Sequence, residues 1–183
     1  WNLQNYAAKI RTAHEHFLFQ DKFGIKNKLD DRPPLVGYIG RLCTEKGVAR
    51  LIQALPAIFS CRNKKFHVMI GGDGPLKRDI VKSIEEQKLT GRVDITGWIS
   101  HDDLPEYLNQ LRLLIIPSYS EGLPNIMLEA MACGTPVLAT PVGAITDFIE
   151  DKKTGFIMKN NSPECIAENI SRALDDPDLG EIV

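Results

Sequence analysis

The chain has 183 residues, 43% of them apolar and 25% charged, with a formal net charge of −2. That is the make-up of one globular domain with a full hydrophobic core. It argues against a nucleic-acid surface, which is basic; no apolar run approaches the ~18 residues of a membrane span, and no secretory-signal pattern opens the sequence.

In chain order, Leu3, Tyr6, Ala7, Ile10, Ala13 and Phe17 recur at helical spacing, which predicts an amphipathic helix ending at Gly24. The stretch "KNKLDDRPP" is polar and closes on two prolines, so residues 1–32 read as a helical segment and connector. From residue 33 an alternation sets in. Strands are expected in "PLVGYIG", "FHVMIG", "RVDITG", "RLLIIPS", "PVLAT" and "GFIM". Helices are expected in "GVARLIQALPAIF", "PLKRDIVKSIEEQKL", "DDLPEYLNQ", "PNIMLEAMAC", "ITDFIE" and "PECIAENISRAL". The runs "LVGYI", "HVMI", "LLII" and "PVLA" lack strict polar alternation, as strands buried on both faces do. The fold class is therefore α/β, a doubly wound Rossmann-like parallel sheet with helices on both faces. No internal repeat or low-complexity segment interrupts it.

The four cysteines, Cys43, Cys61, Cys133 and Cys165, are widely spaced with no C-x-x-C pair, and read as free thiols in a reducing cytosol. His14 and His16, two apart, point in different directions on a helix, and His101 reads as part of a helix-start loop. No metal site is expected from such spacing.

Ligands of doubly wound sheets bind beyond the carboxyl ends of the strands. The turn "GGDGPLK" is the nearest approach to a dinucleotide fingerprint, but Lys77 stands where G-x-G-x-x-G needs a small residue. Its plain reading is a strand-to-helix turn with Pro75 at the first helical position. No G-x-x-x-x-G-K-[ST] loop exists either.

The richest strand end is "SEGLPNIMLEAMACGTPV". Pro124 suits the first turn of a helix and Gly134 its exit, giving a helix of about ten residues with Ile126, Met127, Ala130 and Met131 on its apolar face. A helix N-terminus favours an anion such as phosphate. Glu121 lies just before the helix and Glu129 in its second turn, leaning back toward the same end. Carboxylates accept hydrogen bonds from sugar or ribose hydroxyls, while Arg41 and Lys46 bring the positive charge a diphosphate needs. Those residue types together fit a nucleotide sugar. Each residue alone has a bland surface explanation; their coincidence at strand ends favours the functional one. A glycosidase acid–nucleophile pair, which needs carboxyls about 5–10 Å apart, would explain neither the basic pair nor the helix end.

The blocks "GYIGRLCTEKG", "MIGGDGPLKRDI", "VDITGWIS", "IIPSYSEGLPNIMLEAMACGTPVLAT" and "VGAITDFIEDKKTGFIM" resemble, in order, the motifs of the retaining glycosyltransferases of family 4, also called group 1. The E-x7-E element from Glu121 to Glu129 is the most specific of them. The resemblance implies the C-terminal, donor-binding half of a GT-B enzyme over residues 33–183, and a hexosyl transfer from a nucleotide diphosphate sugar to an acceptor hydroxyl. It implies that Arg41 and Lys46 hold the diphosphate and stabilise the leaving nucleotide, that Glu121 contacts the transferred sugar, and that Glu129 binds ribose. Gly40, Gly122, Leu123, Pro124, Asn125 and Ile126 complete the expected donor contacts. No cofactor and no divalent metal is expected, because the basic pair and helix end do a cation's work.

The carbohydrate or lipid-linked acceptor is expected on an N-terminal domain outside these residues, so that this segment alone transfers sugar poorly or not at all. The expected location is cytoplasmic or at the cytoplasmic membrane face. A non-catalytic nucleotide-binding module, or another GT-B activity such as a sugar epimerase, stays open at this point. One departure stands out: Gly143-Ala144 replaces the two glycines frequent in the family.

Overall fold

A computed structural model of the chain describes residues 18, 21–61 and 66–182. The helix expected near the start, with His14 and His16, lies outside these residues. The strands are β1 (Leu35–Ile39), β2 (His67–Gly71), β3 (Val93–Gly97), β4 (Leu113–Ile116), β5 (Val137–Ala139) and β6 (Phe156–Ile157). The helices are α1 (Val48–Cys61), α2 (Lys77–Glu86), α3 (Leu104–Leu108), α4 (Asn125–Ala132), α5 (Ile145–Phe148) and α6 (Pro163–Leu174).

All strand pairs are parallel, in the order β3-β2-β1-β4-β5-β6. The chain winds outward from β1 through β2 to β3, then returns through α3 to place β4 on the other side of β1. That reversal opens a crevice between β1 and β4 at their carboxyl ends, the topological switch point.

In the central strands the absence of polar alternation has its reason in the two helix layers, whereas the edge strand β3 alternates, with Asp94 and Thr96 exposed. In β4, Leu113 and Ile115 pack into the layer with α1, α2 and α6, while Leu114 and Ile116 pack into the layer with α3, α4 and α5. All four are buried, each contributing roughly 1.5–3 kcal/mol by leaving water. A polar residue at any of them would face a helix instead of solvent.

Three local readings differ from expectation. Pro124 sits at the N-cap of α4, in extended backbone, and the helix begins at Asn125 and runs eight residues. Pro75 lies two residues ahead of α2, which starts at Lys77 after Leu76. The expected connector is part of the domain. Phe23 and Leu29 are buried, and Arg32 is 4% exposed. The Arg32 guanidinium donates to the carbonyls of Asn27, Leu108, Leu111 and Cys133 and to Thr135 Oγ1. A buried charge demands such partners, which ties residues 27–32 beneath the amino ends of β4 and β5. Among the described residues Cys43, Cys133 and Cys165 are free thiols.

Candidate functional site

A cavity of about 260 Å³ opens at the β1–β4 switch point, with Gly40, Arg41, Lys46, Ser118, Glu121 and Glu129 on its wall. Ile39, Ile115, Ile116, Leu104 and Ile126 supply its apolar surface. Five of the expected site residues thus meet at one cavity from two separate stretches of chain, after β1 and after β4, and Ile126 joins them as a sixth.

Local backbone rules bring Lys46 there. The loop leaving β1 forms a short 3₁₀ turn over Thr44–Lys46 and ends at Gly47, whose φ is +68°. A Cβ on Gly47 would lie 1.9 Å from the carbonyl oxygen of Pro117, so only glycine lets this loop rest on the exit of β4. The Tyr119 amide donates to the Glu45 carbonyl at 2.8 Å, closing the two loops together. Lys46 Nζ consequently reaches both carboxylate oxygens of Glu121, each at 2.7 Å.

Glu121 is the better buried partner, its side chain 7% exposed against 35% for Lys46. Ser118 Oγ donates a further bond to Glu121 Oε1 at 2.7 Å. The sequence reading gave the lysine to phosphate and the glutamate to sugar; in the structure they also meet each other. The physical reason is that a carboxylate withdrawn from water needs a partner.

Gly143 secures the opposite side of the turn. Its φ is +59°, and a Cβ would fall 2.2 Å from the Glu121 carbonyl oxygen and 2.3 Å from that of Gly122. The Ala144 amide donates to Gly122 O at 2.8 Å. Ala144 itself has a φ of −89°, which any residue adopts, so a second glycine is not required by the backbone here.

The turn into α4 is carried by buried Leu123 and Pro124, with Gly122 and Asn125 exposed. Nothing lies within 4 Å of where a Gly122 Cβ would be, leaving open space before the helix end. Proline at the N-cap offers no side-chain acceptor to the first turn, where the Met127 amide donates to the Pro124 carbonyl at 3.0 Å. Gly40 was expected to admit a ligand; the neighbour its missing side chain accommodates is the Tyr38 hydroxyl, 3.3 Å from a Cβ there.

Glu129 projects from the second turn of α4, its side chain 12% exposed, and its Oε1 lies 3.0 Å from His101 Nε2. Arg41 is exposed at the cavity rim. Its carbonyl accepts the Tyr38 hydroxyl at 2.8 Å. Burial, with smaller contributions from Cys43 and Glu121, pushes the Tyr38 phenol far above its ordinary value, so it stays a neutral donor that fixes the loop start. Among the described residues no group of three or more His, Cys, Asp or Glu side chains could hold a metal ion.

Tyr38, Ser118 and His101 are site residues that sequence reasoning did not single out for roles. Ser118 and Tyr38 had a usable signal, lying in or just after strands that end at the switch point. His101 had none, because it reaches Glu129 only through the packing of α3 against α4.

The family described as glycosyl transferases group 1 matches residues 19–182. Alpha-D-kanosaminyltransferase of Streptomyces kanamyceticus is 38% identical over 153 residues, covering 84% of this chain and 39% of that protein. Among solved structures, the C-terminal domain of the group 1 glycosyl transferase LpcC from Francisella tularensis superposes with a TM-score of 0.78 at 22% identity, covering 91% of this chain and 92% of that one. That likeness is one of fold. The Anabaena protein HepE, solved in complex with UDP and glucose, gives a TM-score of 0.71 at 26% identity, over 82% of this chain and 41% of HepE. The chain spans well under half the length of the curated relatives it matches. With the family pattern running through all but its first residues and its last, the chain belongs to the group 1 glycosyl transferases.

Proposed function

We propose that this chain forms the donor site of a retaining glycosyltransferase that moves a sugar from a nucleoside diphosphate sugar to an acceptor hydroxyl. The observation that carries the reading is the convergence of Arg41, Lys46, Glu121 and Glu129 on one cavity at the sheet's switch point. Two carboxylates suit hydroxyls at the two ends of such a donor, and two cations suit the diphosphate between them. The reading gains support from HepE, whose structure holds UDP and glucose.

In this reading the ribose hydroxyls donate to Glu129 and the sugar hydroxyls to Glu121. The diphosphate meets the start of α4 together with Arg41 and Lys46. Lys46 then leaves Glu121 for phosphate, and Glu121 exchanges the ammonium for sugar hydroxyls, so neither group is left unpaired. As the glycosidic bond breaks, negative charge grows on the leaving diphosphate, and fixed cations stabilise that charge more than the ground state. No divalent metal is part of the proposal. The acceptor, a carbohydrate or lipid-linked alcohol, would be recognised elsewhere in the protein. We place the reaction in the cytoplasm or at its membrane face; among the described residues no helix is long and apolar enough to cross a membrane.

A thermal-shift panel of UDP-, GDP- and ADP-sugars, followed by calorimetry and turnover with the stabilising donor, tests the reading. In the intact enzyme, Glu129→Ala should weaken nucleotide binding, and Arg41→Ala or Lys46→Ala should slow transfer. Unchanged affinity and turnover in all three would remove the assignment.

A further inference from the structure

We propose that His101 is a positioning residue for the ribose clamp, holding Glu129 through one carboxylate oxygen so that the other is presented to the ribose hydroxyls. The inference rests on the reading of Glu129 given above.

His101 follows β3 in the turn that leads to α3. Ser100 closes this turn, its hydroxyl donating to Asp103 Oδ2 at 2.6 Å and accepting from the Asp103 amide at 3.1 Å. The imidazole is engaged on both sides. Its Nε2 lies 3.0 Å from Glu129 Oε1 and its Nδ1 lies 3.0 Å from Lys22 Nζ. Phe23 meets the ring edge-on, with centroids 5.2 Å apart. Lys22 is itself anchored to Asp102 Oδ1 at 2.5 Å.

The chain of bonds fixes the proton. An ammonium has only donors, so Lys22 donates to Nδ1 and the ring proton sits on Nε2, directed at Glu129. A histidine beside a reaction site invites an acid–base role. Here each ring nitrogen already has a partner, Lys22 on one side and Glu129 on the other, and the arrangement is that of an orienting bridge. With Oε1 committed to His101, Glu129 cannot swing through its rotamers, and Oε2 stays available to a diol. The segment before β1, which supplies Lys22 and Phe23, therefore bears on nucleotide recognition without touching the nucleotide.

The test compares a nucleotide with its own analogue lacking the hydroxyls. Whichever of UDP, GDP and ADP binds the protein tightest is titrated calorimetrically against its 2′,3′-dideoxy counterpart. The ratio of the two affinities is insensitive to a general loss of folded protein, which weakens both alike. The unsubstituted protein should prefer the ribonucleotide by roughly tenfold or more. His101→Ala should cut that preference to under about threefold. His101→Gln, whose amide nitrogen can take the place of Nε2, should retain most of it. Glu129→Ala should abolish it.

If Glu129→Ala abolishes the preference while His101→Ala keeps it, the positioning role is overturned and the ribose reading survives. His101→Gln performing no better than His101→Ala also overturns it, because the donor is then not what matters. A preference that survives Glu129→Ala, or no binding of any of the three nucleotides, overturns the ribose reading and this inference with it.

Discussion

Two charged clusters sit at opposite ends of the same sheet and obey different rules. At the amino ends, the Arg32 guanidinium is surrounded by four backbone carbonyls and one hydroxyl. Burial lowers its pKa, with Cys133 acting in the opposite direction, yet an arginine stays charged under any ordinary condition. Its hydrogen-bonding capacity is consumed internally, and it holds chain segments together. At the carboxyl ends, Lys46 and Glu121 face a cavity and are paired mainly with each other. An ammonium and a carboxylate can each trade the other for a ligand group. Burial of charge therefore does not by itself mark a functional site; exchangeable partners beside empty space do.

The contrast is open to attack, starting where the expected effect is largest. Arg32→Ala strands several buried acceptors at once and should cost about 3–4 kcal/mol in urea unfolding, while nucleotide affinity of the folded fraction stays close to normal. A cost under about 1 kcal/mol would mean the hub is no more than a surface pair. In the intact enzyme Lys46→Ala should behave in the reverse sense, slowing transfer by roughly 10²–10³-fold with a stability loss of only about 1–2 kcal/mol, because Ser118 still donates to the Glu121 carboxylate. A change confined to stability would make the Lys46–Glu121 pair structural, like Arg32.

The asymmetry in what could be read from the sequence follows the same line. Runs such as "LLII" and "HVMI" report their own burial because a parallel strand covered on both faces has no polar side, so the sheet and its helices were legible. The strand-end positions of Arg41, Lys46, Glu121 and Glu129 were legible too, since the switch-point rule depends only on strand order. Pairings across the fold were not. Lys46 and Glu121 are 75 residues apart, His101 and Glu129 are 28 apart, and Arg32 reaches Thr135 across 103 residues. No local periodicity carries such information. Arg32 was further disguised by its polar neighbours in "KNKLDDRPP", where the pattern of a solvated connector outweighed one buried side chain. Pro124 was misplaced by one position for a subtler reason, since proline satisfies the backbone equally at the cap or the first turn.

Gly143→Ala would put a methyl against the carbonyls of Glu121 and Gly122 at positive φ and should cost about 1–2 kcal/mol, with donor affinity falling alongside it because the turn before α4 is displaced. Full affinity with normal stability would show that the turn is softer than its geometry suggests.

The smallest expected effect is electrostatic. Arg172 donates to both oxygens of Asp151 at 2.8 and 2.9 Å, holding that carboxyl below its ordinary 3.8. A depressed carboxylate contributes its stability above that ordinary value and loses it as pH falls through the lowered one. Solvent screening of this half-exposed pair limits the contribution to about 0.5–1 kcal/mol. Asp151→Asn should therefore narrow its gap to the unsubstituted protein as the pH drops below about 4, with no change in nucleotide binding at any pH. A gap that widens in acid would reverse the sign of the argument.

Whether the exchangeable partners at the β1–β4 crevice are the donor contacts can be seen in a crystal structure with the tightest-binding nucleoside diphosphate. The diphosphate should lie within about 3 Å of Lys46 Nζ and of the amides at the start of α4, Lys46 should have left Glu121, and the ribose hydroxyls should meet Glu129. A nucleotide bound with Lys46 still seated on Glu121, or with its ribose away from Glu129, would mean that these residues are not the donor contacts.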